Sequence, residues 1–185
     1  MRIEKLKRNF NVDVKLVHFP LHPDTPPEGR PMADYFAARG LDAQAMYERM
    51  KERMDAEGLP YGKRTHTYNS RLAQELAKWA EEQPGGQAIH DALFRAYFVD
   101  GVNLAEIDRL VEIAGSVGLP EEEARHVLEH RTFLGSVDED WDRSTRLGVT
   151  GVPTFVFANR GVVGAQPYEA LEELVVKGGA ERRTP

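Results

Sequence analysis

The side chains that could do chemistry in this chain are few, and their spacing narrows what they could do. The 185 residues contain no cysteine, which removes thiol nucleophiles, structural disulfides and thiolate metal sites from anything the chain itself supplies. Six histidines are present. His18 and His22 stand four apart, a metal-ligand spacing on a helix, but here a strand pattern runs into prolines and that geometry is not available. His126 and His130 repeat the spacing on a charged helical face without an HExxH pattern, and read as surface histidines. No serine sits in a G-x-S-x-G elbow. The glycines of Gly148-Val149-Thr150-Gly151 precede a strand, whereas phosphate loops precede a helix. Hydrolase, nucleotide-binding and metal readings therefore have no support, and no cofactor is expected.

What remains is backbone chemistry. In Gly148 to Pro167, a turn-rich lead-in meets Val152-Pro153, four β-prone residues Thr154 to Phe157 follow, a turn falls at Ala158 to Gly161, and Val162-Val163 resume the extended pattern. The pattern predicts a hairpin with proline at the mouth of its first strand, a tolerated place because proline has no N–H to give to a ladder. An ordinary trans proline fits this reading. A cis Val152-Pro153 bond also fits, and would turn the chain sharply and free the backbone of Val152 to meet another peptide.

The elements that must carry this hairpin follow from periodicity. Ile3, Leu6 and Phe10 recur at helical spacing, so Met1 to Asn9 reads as a short helix, and Val12 to Phe19 reads as a strand buried on both faces. Pro20 to Pro31, with five prolines, is an irregular loop. Leu41 to Glu57 is a helix capped by Asp42, with a Leu41–Met46 staple and a core-facing stripe of Ala43, Met46, Tyr47, Met50 and Met54. After the polar connector Tyr61 to Tyr68, helices follow from Asn69, through Ile89 with Phe94 and Phe98 on the buried side, from Leu104 to Val117 behind an Asn103/Glu106 capping box, and from Pro120 to Arg131. Another helix opens at a Ser136/Glu139 capping box. Tyr168 to Val176 is the last, and Lys177 to Pro185 is expected to fray. A run of helices between one early strand and one late hairpin reads as an insertion in an α/β domain. The expected units are 1–40 with 132–177, an inserted helical domain 41–131, and a flexible tail 178–185.

The formal charge of −6 is spread, with only a short basic pair at Arg182-Arg183, so nucleic acid is not an expected partner. The absence of an apolar run of transmembrane length and of a signal-like start leads to an expected soluble, cytoplasmic setting.

GVTGVPTFVF followed by GAQP, with Phe19-Pro20-Leu21-His22-Pro23 and Asn69-Ser70-Arg71-Leu72-Ala73, resembles the DsbA-like thioredoxin-fold family, and within it the FrnE-type oxidoreductases. The resemblance implies an α/β thioredoxin-like fold with a large helical insertion, a cis Val152-Pro153 bond, and a substrate-binding loop of Thr150, Gly151, Val152 and Pro153. In that family a first strand and a Cys-x-x-Cys motif precede the helix with which this chain opens, so the fold is expected to be N-terminally incomplete and the chain redox-inactive. Without that strand, either a true start lies upstream, or the sheet closes up, or another chain fills the gap. The implied partners are a peptide or a small thiol or disulfide; a homodimer is compatible. Two alternatives stand beside the oxidoreductase reading. One is a glutathione-dependent isomerase or transferase, which would bring glutathione as cofactor; the other is a non-catalytic peptide-binding module.

Overall fold

The computed structural model describes residues 2–184. In chain order the elements are α1 (Arg2–Asn9), β1 (Arg30–Pro31), α2 (Met32–Ala37), α3 (Ala43–Ala56), β2 (His66–Thr67), α4 (Arg71–Ala80), α5 (Ala88–Phe98), α6 (Ile107–Ser116), α7 (Glu121–His130), α8 (Leu134–Arg146), β3 (Thr154–Phe157), β4 (Arg160–Val163) and α9 (Tyr168–Lys177). The chain divides into two compact units, Met1–Leu21 with Asp140–Pro185, and His22–Glu139. These boundaries leave the proline loop with the helical unit, whereas the sequence pattern places them near residues 40 and 131.

The first unit is built on one apolar cluster. The apolar residues of α1 recur at helical spacing and bury Leu6, which joins Phe10, Val12, Tyr168, Leu171 and Val175, with Phe155, Phe157 and Val162 packed against them. The expected frayed tail is instead docked. Phe10 and Arg182 form a β-bridge, the Asn11 amide donates to the Glu181 carbonyl at 2.8 Å, and the Arg183 amide donates to the Asn9 carbonyl at 2.9 Å. The Arg182 guanidinium also lies over the Phe10 ring, 4.8 Å from its centroid.

The segment read as a strand over Val12 to Phe19 is not one. It carries no strand assignment, and while Val12 is buried, Val14 and Leu16 are 47% and 43% exposed. A strand is defined by its ladder, and among the described residues β3 pairs only with β4 and β1 only with β2. Alternating apolar residues cannot form a sheet without a neighbour, so the sheet does not close up around this segment.

The second unit has its core where α4 to α7 meet. Leu76, Trp79, Ile89, Leu110, Ala114 and Leu128 are buried together, following the apolar stripes of their helices. Here several local readings need correction. The methionine stripe of α3 does not enter a core: none of the helix's residues is fully buried and Met50 is exposed, although Asp42 does cap the helix, accepting from the Ala45 amide at 2.7 Å. Phe94 is 59% exposed and stacks on Phe98 instead of widening the buried side. Asn103 accepts from the Ala105 amide and donates to Glu106, forming a turn, and α6 starts only at Ile107. The α8 helix starts at Leu134, directly after the turn at Arg131, so Ser136 lies inside it and not at its N-cap.

Glu75 on α4 is fully buried and ion-paired. Arg131 reaches it with both Nε (2.7 Å) and Nη2 (2.6 Å), and Arg71 Nε with a third contact at 3.0 Å. Arg71 also donates to the Leu134 carbonyl and to Asp138. Glu75 thus ties α4 to the end of α7, and Arg71 ties α4 to the start of α8.

Two imidazoles in this unit make stability depend on pH. Burial pushes His90 below the ordinary histidine value, outweighing the Glu81 carboxylate 3.9 Å away, which pulls it upward. Burial, then Arg39 and Arg30, do the same to His22. A depressed histidine takes up its proton more readily in the unfolded chain, so this contribution is complete above the unfolded value of about 6.5 and drains away as pH falls through it. Denaturant melts are expected to show lower stability at about pH 5.5 than at about pH 7.5, and His90→Gln to shrink that difference. An unchanged pH profile in the variant would rule the assignment out.

Candidate functional site

The hairpin forms as its residues dictate. Thr154 pairs with Val163, Phe155 with Val162, Val156 with Gly161 and Phe157 with Arg160 in an antiparallel register. Ala158 and Asn159 both take positive φ, 46° and 63°, the combination of a two-residue type I′ turn that matches strand twist. At the open end the Gly164 amide donates to the Pro153 carbonyl at 2.7 Å, and Gln166 Nε2 donates to the Val163 carbonyl at 2.6 Å.

The predicted loop residues come together at this end. The Val152–Pro153 peptide bond is cis. Thr150, Val152 and Pro153 are exposed and Gly151 is half-buried. Thr154 Oγ1 donates to the Gly151 carbonyl at 2.6 Å and so ties the loop to the first residue of β3. Among the described residues the Val152 N–H and C=O have no hydrogen-bond partner. A side chain built at Gly151 would meet nothing within 4 Å, so the space over this backbone is open.

No ionisable side chain occurs between Leu147 and Asn159. The loop can therefore hold a ligand through backbone donors and acceptors, but it carries no acid, base or thiolate of its own. Sequence reasoning missed the clamps, Thr154, Gly164 and Gln166. A threonine hydroxyl bonding a nearby carbonyl is a recurrent local device, and that was the available signal for the first of them.

The other candidate residues lie elsewhere. His18 and His22 are not on a helix; the His18 amide donates to Asp140, and His22 Nε2 is 3.0 Å from the Tyr35 hydroxyl. His126 and His130 stack with ring centroids 4.2 Å apart on the exposed side of α7. Among the described residues no group of three or more His, Cys, Asp or Glu side chains could hold a metal ion, and no helix is long and apolar enough to cross a membrane.

The chain is similar to known proteins. The DSBA-like thioredoxin domain matches residues 1–176. The chain belongs to that family. A probable DsbA oxidoreductase of Streptomyces coelicolor, SCO1869, superposes with a TM-score of 0.88 at 32% identity, covering 100% of this chain and 84% of that one. The cytosolic disulfide reductase DsbM of Pseudomonas aeruginosa, solved with GSH, gives a TM-score of 0.51 at 25% identity over 65% of this chain and 69% of that one. The uncharacterized protein YwbO of Bacillus subtilis is 26% identical over 178 residues, 93% of this chain and 85% of that protein. The DsbA-like fold with its helical insertion is thus the architecture of this chain, and its structural relatives are DsbA-type oxidoreductases.

Proposed function

We propose that this chain holds an extended peptide or a small thiol or disulfide substrate through the backbone of Thr150, Gly151, Val152 and Pro153, and that its 185 residues perform no thiol–disulfide exchange themselves. The observation that carries the reading is the exposed Val152 peptide group, without a hydrogen-bond partner among the described residues and held by Thr154 and Gly164 on either side. An extended peptide recognised through main-chain bonds needs such a donor and acceptor, and needs no charged side chain. Thiol–disulfide exchange needs a thiolate, which no residue of the chain can supply. Within the family the run GVTGVPTFVF with GAQP favours the FrnE type, and a cytoplasmic setting agrees with the cytosolic description of DsbM.

An insulin-reduction assay is expected to show no turnover by this chain, and measurable turnover would contradict the reading. In calorimetry an extended peptide or oxidised glutathione is expected to bind. Thr154→Val, which removes the loop clamp while keeping the side chain's shape, should weaken binding about threefold to tenfold, the equivalent of one net hydrogen bond of about 1 kcal/mol. Undiminished binding by that variant would show that the loop is not the site.

A second reading, a glutathione-dependent isomerase or transferase, draws support from the GSH held by DsbM. It requires reduced glutathione to bind at the same loop. A preference for peptides with no affinity for reduced glutathione would remove it.

A further inference from the structure

The helical unit contains a cavity of about 440 Å³ between α2, α3 and the return segment 61–65. Its walls are Met32, Phe36, Tyr47 and Tyr61, all half-buried. The two tyrosine rings lie nearly parallel, 22° apart with centroids 5.8 Å apart. Lys63 and Arg64 also line it, with Asp42 and Gln44. Lys63 Nζ donates to Gln44 Oε1 at 2.7 Å and stands 5.7 Å from the Tyr47 ring centroid. The Arg64 guanidinium lies over Tyr97 and Phe98, at 4.2 and 5.0 Å, and its Nε is buried without a hydrogen-bond partner among the described residues.

Among the described residues neither Lys63 nor Arg64 is paired with a carboxylate. The acid on the wall, Asp42, already accepts from the Ala45 amide as the α3 cap. We infer that this cavity is a binding site for a small organic anion with an aromatic body. The volume lies in the range of small-molecule sites, about 300–1,000 Å³. Aromatic walls take up the planar part of such a ligand, while Lys63 supplies the charge-assisted hydrogen bond that a carboxylate, sulfonate or phosphate requires and Arg64 adds a second positive charge nearby. A cationic ligand would meet two like charges, one of which already occupies the field of the Tyr47 ring. The site lies within residues 32–65 and does not rest on the hairpin reading.

The test titrates the isotope-labelled full chain with naphthoate, the neutral naphthalenemethanol and the cationic naphthylmethylammonium, read by amide chemical shifts. Naphthoate is expected to shift the amides of Ala43, Gln44, Tyr47 and 61–65 saturably, and to bind at least about tenfold more tightly than the neutral alcohol. Lys63 is exposed, so Lys63→Glu should leave the rest of the spectrum intact. That variant should weaken naphthoate about tenfold and leave the alcohol within about twofold. The proposal is overturned by equal affinity for the acid and the alcohol, by tighter binding of the ammonium, by shifts centred elsewhere, or by no saturable shift.

Discussion

Replacing Glu75 with glutamine is expected to destabilise the protein by about 3 kcal/mol, because breaking a buried ion pair strands the partner charge at a cost of about 3–5 kcal/mol. The carboxylate is wholly buried, and three hydrogen bonds from Arg71 and Arg131 converge on it. Glutamine is nearly the same shape, so packing barely changes. Its amide, however, removes the negative charge and turns donors toward guanidinium groups that are themselves only donors. The low end of the range applies because the Arg131 side chain is 41% exposed and can recover some hydration. The effect should appear as a lower denaturant midpoint with little change in slope. A loss below about 1 kcal/mol would show that the pair is no stronger than a surface bridge.

Phe10→Ala is expected to cost about 3–5 kcal/mol, the range for removing a large aromatic side chain from a core. Phe10 is fully buried in the cluster that joins α1 to α9. It also carries the bridge to Arg182 and the stacked Arg182 guanidinium. The cavity would open at the point where the C-terminal segment docks, so amide exchange should accelerate at 181–183 as well as in α1 and α9. A change of less than about 1 kcal/mol with unaltered exchange there would contradict the packing described.

Much of this fold was legible because it is written in local signals. The hairpin follows from β-prone residues around a turn-forming pair, and α4 to α7 follow from apolar stripes and from stops such as Gly101 and Gly118, both with positive φ. What failed were features that depend on a distant partner. Val12 to Phe19 alternates like a buried strand, yet strand formation depends on a neighbour that periodicity cannot see. The same applies to the tail, whose residues look polar and terminal but pair with Asn9, Phe10 and Asn11. The α3 stripe was misread because helical spacing says which residues share a face and not what covers that face. Thr150, Gly151, Val152 and Pro153 can be named as a candidate loop from a local motif, and the ties from Thr154 to Gly151 and from Gln166 to Val163 are equally local, whereas the cavity lined by Lys63 and Arg64 depends on the meeting of α2, α3 and the segment 61–65.

The central claim is that the loop before Pro153 holds substrate backbone. It is tested most directly by amide chemical shifts of the full chain titrated with oxidised glutathione and with an extended, uncharged peptide. The account predicts saturable shifts at Gly151, Val152 and Thr154, strongest at Val152, with no change in the redox state of either ligand. Shifts absent from these residues while the ligand binds elsewhere, or no binding of either ligand, would contradict it.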